Sequence, residues 1–174
     1  MIQEGQFLWQ AGNERIGRAN ITRYLAWLDQ NLGLHFTGHE PLWQWSATEP
    51  EQFWRSLWDY FDIIHDGEVE SVMTSAPMHA TRWFTGTRVN YAEHVLRREF
   101  EGDSARTFLQ HCSEIRPLTP LSWADASSQV RKLATRLREM GIRPGDRVVA
   151  YMPNIAETVV AMLAVTAIGA TWSS

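Results

Sequence analysis

The sequence predicts an α/β fold: a helical amino-terminal layer over residues 1–100, followed over residues 101–174 by the first β-α-β unit of a parallel sheet. Three observations lead there. Up to Phe61, apolar side chains recur three and four apart, the spacing of helices that each bury one stripe. From about Glu101, segments of strand and helix length alternate, which is the pattern of a parallel sheet with right-handed crossovers. At 174 residues, 44% hydrophobic and 21% charged, the chain is too apolar to be disordered. A compact fold of this size hides roughly 70% of its unfolded surface.

The first helix is expected from about Glu14 to Asn31 with Asn13 as its cap. Ile21, Leu25, Leu28 and Leu32 make its apolar stripe, and Gly33 supplies the stop. A loop rich in His, Gly and Pro is expected from Leu34 to Ala47. Thr48 then reads as the cap of a second helix, with Glu51 reaching back to it and Pro50 tolerated in the first turn. Phe53, Trp54, Leu57, Trp58 and Phe61 form the buried face of that helix. From Asp62 to Arg88 the periodicity fades among the breakers Gly67, Pro77 and Gly86, and the segment reads as an ordered wrap along a larger body. Asn90 and Glu93 box the start of a short helix with Val95 and Leu96 inward.

After Glu101 the segment Arg106 to Cys112 reads as a half-buried strand, and Pro117 to Leu121 as a turn-rich connection. Ser122 and Asp125 open a long helix. Ala126, Val130, Leu133, Ala134, Leu137 and Met140 follow its period, and Gly141 ends it. The turn Arg143–Asp146 leads into a strand from Arg147 to Met152. Its run of Val148, Val149 and Ala150 is expected of a parallel strand covered on both faces. Asn154 and Glu157 start another helix, which runs through Ile168 to Gly169, and a further strand starts at Ala170. Five residues remain from there to Ser174, about one strand's length, so the architecture reads as truncated. An α/β fold carries its ligand chemistry on loops beyond the carboxyl ends of its strands, and the loop after this strand is expected to lie past Ser174.

Composition excludes several function classes. A net charge of −4 with dispersed basic residues gives no nucleic-acid surface, since that binding rests on concentrated positive charge. The tightest basic group, Arg131 to Arg138, sits among helix-spaced apolar residues and reads as a solvated helix face. The one cysteine, Cys112, excludes an internal disulfide framework and fits a reducing cytoplasm; it reads as packing rather than as a nucleophile. The opening MIQEGQFLWQ has neither the basic start nor the apolar run of a signal peptide. The apolar stretch from Thr158 to Trp172 is shorter than the roughly 20 residues a membrane span needs. Six of the nine tryptophans precede Phe61. Trp54 and Trp58 lie one helical turn apart on the face of Leu57 and Phe61, which favours packing over stacking on a base or sugar.

Chemical motifs are sparse. Lys132 is the only lysine and is preceded by Arg131 within a helix, so no GxxxxGK phosphate loop exists, nor any GxGxxG. His35 and His39 stand four apart, a metal-ligand interval on a helix, but Gly38 and Pro41 place them in the expected loop, where that interval loses its geometry. His65, Asp66, Glu68 and Glu70 contain ligand types for a divalent ion without the spacing of a calcium loop. There is no GxSxG, and Ser173 and Ser174 have no base nearby in sequence. These residues assign no catalytic, cofactor-binding or metal-binding position.

Four longer segments carry a resemblance. FLWQAGNERIGRANITRYLAWL, WSATEPEQFWRSLWDYF and RWFTGTRVNYAEHVLR are similar to the opening of the acetoacetate–CoA ligase family. The block from Leu121 to Ser174 resembles the first β-α-β unit of the wider adenylate-forming superfamily of AMP-forming acyl-CoA synthetases. His94 stands where the family usually has Asn, and Ser122 where Thr is commoner; both keep polar or capping roles. The resemblance implies the opening of an AMP-binding large domain over residues 101–174, preceded by the helical region of acetyl/acetoacetate–CoA ligases. It also implies the family's reaction: a carboxylate attacks the α-phosphorus of ATP to give an acyl-adenylate and pyrophosphate, and CoA thiolate then displaces AMP. The family does this with a Ser/Thr/Gly-rich loop carrying a lysine, an acidic adenylate-binding residue and a lysine in a mobile carboxyl-terminal domain, and no position here matches any of them. ATP, Mg and CoA are therefore implied for the full-length family and none for this segment.

The residues and the resemblance leave two functional readings. In the first the chain is an inactive structural piece of the ligase, whose partner is the remainder of the ligase chain; the acyl group is acetoacetate, with acetate or propionate as the alternative. In the second it is a non-catalytic interaction module that self-associates through a truncated sheet edge. Neither involves nucleic acid or a membrane, and both place the protein in the cytoplasm.

Overall fold

The computed structural model describes residues 3–102 and 104–174. Met1 and Ile2, part of the opening read for a leader, and Asp103, near the expected change of pattern, lie outside them. The described residues form two compact units, one within Met1–Asp62 with Val69–Thr85, the other within Ile63–Glu68 with Gly86–Ser174.

In the first unit the expected single helix is two, α1 (Asn13–Arg18) and α2 (Asn20–Leu32), broken at an extended Ala19. The Ile16 carbonyl explains the break: it accepts the Ala19 N–H at 3.1 Å and the Thr22 hydroxyl at 2.6 Å instead of continuing the helical ladder. Asn13 is the first helical residue rather than the cap. Gly33 ends α2 in the left-handed conformation (φ 66°), and the Leu34 N–H returns to the Leu28 carbonyl.

The expected loop from Leu34 to Ala47 is largely a helix, α3 (His39–Thr48). Pro41 lies in its first turn, where a missing N–H costs no hydrogen bond, and Leu42 is buried. Thr48 is therefore the last residue of α3 and donates back to the Gln44 carbonyl (3.1 Å) rather than capping the next helix. That helix, α4 (Pro50–Tyr60), begins after Glu49, with Pro50 in its first turn as expected.

Tyr24, Leu28 and Leu42 form the centre of this unit, packed by Trp27, Phe36, Trp45, Phe53, Leu57 and Tyr60 among others. The stripe read from Ile21 to Leu32 is thus displaced: both of its ends are exposed, and Tyr24 fills the interior beside Leu28. On α4 the buried residue is Ser56, while Trp54 and Phe61 of the expected face are exposed. The segment after α4 contains a short antiparallel pair, β1 (Ser71–Met73) and β2 (Trp83–Thr85), in register Ser71 to Thr85. Trp58 stacks on Phe84 with ring centres 4.1 Å apart.

The second unit contains α5 (Tyr91–Leu96), capped as expected by Asn90, whose Oδ1 accepts the Glu93 N–H. The inward residue is Ala92, with Val95 and Leu96 half-buried. β3 (Thr107–Ser113) pairs with β4 (Arg116–Ser122) as an antiparallel hairpin. The turn-rich connection expected at Pro117 to Leu121 is therefore a strand. Two prolines are tolerated because β4 is bonded to β3 alone, leaving its other side free of ladder bonds. Cys112, expected half-buried, is exposed on β3.

α6 (Trp123–Glu139) starts at the Ser122 cap and buries Ala126, Ser127, Val130 and Ala134; Met140, expected on this face, is exposed. β5 (Arg147–Val149), α7 (Ala156–Ala167) and β6 (Thr171–Ser173) complete the β-α-β unit. β5 and β6 are parallel neighbours with Val148 opposite Trp172. β5 is shorter than expected and Val149 is 75% exposed, so the run is covered on one face only. Ile155, not Asn154, precedes α7, and the Thr158 hydroxyl donates to the Pro153 carbonyl at 2.6 Å. Val130, Val160, Leu163, Ala164 and Val165 lie at the centre of this unit's core.

Candidate functional site

A parallel β-α-β unit presents its binding edge at the carboxyl ends of the strands. Here that edge consists of the segment Ala150 to Ile155 after β5 and Ser173–Ser174 at the end of β6. The Ala150 N–H donates to the Ser173 carbonyl at 2.9 Å, which carries the parallel register one residue past β5. Ile155 N–H and Thr158 Oγ1 both donate to the Pro153 carbonyl, so the loop turns tightly into α7. Tyr151 is wholly exposed. Between Ala150 and Ile155 there is no glycine and no basic residue. This edge does not fit nucleotide phosphates, which need backbone N–H groups in a glycine turn together with a cation.

The other residues singled out from sequence do not converge. His35 lies in the connection before α3, its Nδ1 3.6 Å from Asp29 Oδ1, whereas His39 opens the helix, so the two do not share a helical face. His65 is exposed and its ring Nδ1 bonds the Ile63 carbonyl; Asp66 forms a backbone bridge with Arg88; Glu70 bonds through its N–H to Thr85. Among the described residues, no three His, Cys, Asp or Glu side chains are grouped to hold a metal ion. Cys112 and Lys132 are exposed on β3 and α6, and Ser173 and Ser174 are exposed at the end of β6.

The electrostatic features of the second unit are ion pairs that brace it. Glu99, in the helical turn Arg97–Glu99, accepts two hydrogen bonds from Arg131 of α6, one of them at 3.0 Å from Nη2. Arg131 holds the Glu99 carboxyl below its usual range against the opposing effect of burial. The buried Ser127 hydroxyl makes no hydrogen bond of good geometry but pulls in the same direction. Glu157, in the first turn of α7, is also held low, first by its own backbone N–H and then by Arg116 of β4 at 2.9 Å. Sequence reasoning missed both pairs. Their partners are 32 and 41 residues apart, and no local pattern marks them.

Comparison with known proteins identifies the fold's setting. Residues 39–95 match the family model described as Acetyl-coenzyme A synthetase N-terminus, and residues 97–173 match AMP-binding enzyme. The chain is 32% identical to an acetoacetyl-coenzyme A synthetase from Rhizobium meliloti (strain 1021), across 99% of this chain and 26% of that protein. It is likewise 32% identical to the acetoacetyl-CoA synthetase of Xenopus tropicalis, across 99% of this chain and 25% of that one. The solved acetoacetyl-CoA synthetase from Streptomyces lividans superposes with a TM-score of 0.87 at 38% identity, covering 97% of this chain and 26% of that structure. The chain thus spans about a quarter of the length of the relatives it matches. An acetyl-CoA-synthetase-type amino-terminal region thus leads directly into an AMP-binding segment, and over nearly its whole length the chain is similar to acetoacetyl-CoA synthetases.

Proposed function

We propose that this chain is the opening quarter of an AMP-forming acid–CoA ligase that converts ATP, acetoacetate and CoA into acetoacetyl-CoA, AMP and pyrophosphate. The observation that carries this reading is the superposition of 97% of this chain on 26% of the S. lividans acetoacetyl-CoA synthetase. The chain's own contribution is structural: residues 1–100 form the helical region and residues 101–174 begin the AMP-binding domain, a division supported by the break between the two family matches at residues 95–97. ATP, Mg and CoA are held by the rest of the ligase, which works in the cytoplasm, a reading supported by the single cysteine of this chain. Among the described residues, no helix is long and apolar enough to cross a membrane.

The test uses two proteins: the 174-residue chain, and the same chain continued to the length of its relatives. The long protein should release pyrophosphate in an acetoacetate-dependent manner and the short one should release none. Turnover by the 174-residue chain alone would refute the structural role, and no acetoacetate dependence in the long protein would refute the substrate. A second reading, acetate or propionate as the acyl group, is favoured by the acetyl-coenzyme A synthetase match over residues 39–95. It predicts faster turnover with those acids than with acetoacetate.

A further inference from the structure

A cleft in the second unit, with a volume of about 520 Å3, is lined by Asp66, Arg88, Asn90, Arg138, Arg143 and Gly169 among others. It lies beside Pro144 and Gly169, which precede β5 and β6, and so at the opposite end of the strands from the edge described above. Three arginines and one aspartate line the cleft, a local excess of positive charge in a chain whose net charge is −4. None of the three arginines makes a side-chain hydrogen bond or ion pair with another described residue, whereas Arg55, Arg97, Arg116, Arg131 and Arg136 each pair with a carboxylate.

The frame around these arginines is well braced. Asp66 and Arg88 exchange backbone hydrogen bonds at 2.9 Å in both directions. Asn90 Nδ2 donates to the Ala167 carbonyl at 3.1 Å, and the Gly145 N–H donates to the Gly169 carbonyl at 2.9 Å. The Arg143 N–H is held by Asp146 Oδ2 at 2.7 Å. Gly169, at φ +76°, packs so closely that an added Cβ would stand 3.2 Å from Pro144 Cβ. Arg138, in the last turn of α6, has an ordinary role there in complementing the negative end of the helix. That role does not account for Arg88 and Arg143, which belong to other elements.

We propose that this cleft binds an anion of linked phosphate groups, a di- or triphosphate. Guanidinium forks match phosphate oxygens two at a time, and three of them on a braced frame match a group carrying several negative charges better than a single small anion. Asp66 opposes the ligand and limits its affinity. The proposal does not depend on the ligase reading, which is tested by acetoacetate-dependent turnover.

The probe is inorganic pyrophosphate, titrated into the 174-residue chain by calorimetry at fixed ionic strength, with sulfate as the comparison anion. Pyrophosphate should bind one to one and more tightly than sulfate. Replacing Arg138 and Arg143 together by Ala should weaken it by roughly tenfold or more, the loss expected for hydrogen bonds to a charged group. Asp66→Asn should tighten binding, and Arg136→Ala, on the same helix but outside the cleft, should leave it unchanged. In the wild-type chain, the arginine side-chain Nε–H resonances that shift on titration should be those of Arg88, Arg138 and Arg143, a readout that holds even if the double variant fails to fold. Equal affinity for sulfate, equal loss in Arg136→Ala, or shifts confined to other arginines would overturn the proposal.

Discussion

Tyr24 and Ser56, from α2 and α4, meet at 2.5 Å, and Ser56 is 1% exposed. Burial raises the Tyr24 hydroxyl above its ordinary value, so it stays protonated and donates or accepts throughout the neutral range. Tyr24→Phe leaves the Ser56 hydroxyl bonded to the Phe53 carbonyl. It should therefore cost only about 1 kcal/mol in urea unfolding, the net value of one hydrogen bond. Gly67 is under a harder constraint: its φ is +82°, and a Cβ there would stand 2.2 Å from the Gly86 carbonyl oxygen. Gly67→Ala should lower stability by at least about 2 kcal/mol, from backbone strain and from displacement of the Gly86 segment. Glu99 supplies a pH dependence. Its carboxyl is depressed in the folded state, so its contribution is complete above the unfolded value of about 4.3 and is lost as pH falls through the lower folded value. Glu99→Gln should flatten the loss of stability below that pH. At pH 7 it should cost no more than about 1 kcal/mol, because the Arg131 partner is largely exposed. Urea midpoints measured from pH 3 to 7 check both effects.

At the scale of elements, the caps were readable wherever a short polar side chain reaches its own helix. Asn90 accepts the Glu93 N–H, Ser122 accepts the Asp125 N–H at 3.1 Å, and Gly33, Gly141 and Gly169 all take positive φ after a helix. Asn90 does more than cap, since its amide also tethers α5 to the end of α7 through Ala167. Asn90→Ala should therefore lose about 1–2 kcal/mol, towards the upper part of the range for a cap alone. Asn90→Ser, which can cap but not reach Ala167, should recover only part of it. Two of the elements misread from sequence, α3 and β4, contain proline. Proline signals a break only where its missing N–H would have been bonded, and in the first turn of α3 and on the free side of β4 it is not. Nothing local distinguishes those settings from a loop.

For the whole molecule, the uneven cover of the β-α-β unit is the main consequence. α7 is buried along Val160, Leu163, Ala164 and Val165, while β5 and β6 pair only with each other. In hydrogen exchange, amides in the middle of α7 should be the slowest of this unit. Amides of β5 and β6 that point away from the shared ladder should exchange far sooner. Extending the chain to the length of its relatives should protect those strand amides if the added sequence supplies neighbouring strands. Unchanged exchange in the long protein would show that it does not.

The sequence by itself determined the kind of fold, the order of α6, β5, α7 and β6, the helix stops and the family resemblance. Each depends on a short-range signal: helical period, capping side chain, glycine after a helix, or a run of matching residues. Only tertiary structure decided that Ser56 rather than Trp54 is buried, that two prolines sit in a strand, and that Arg88, Arg138 and Arg143 line one cleft. In each of those cases the deciding partner is set by the folded chain rather than by neighbouring sequence. Burial and pairing belong to whichever surfaces the fold brings together.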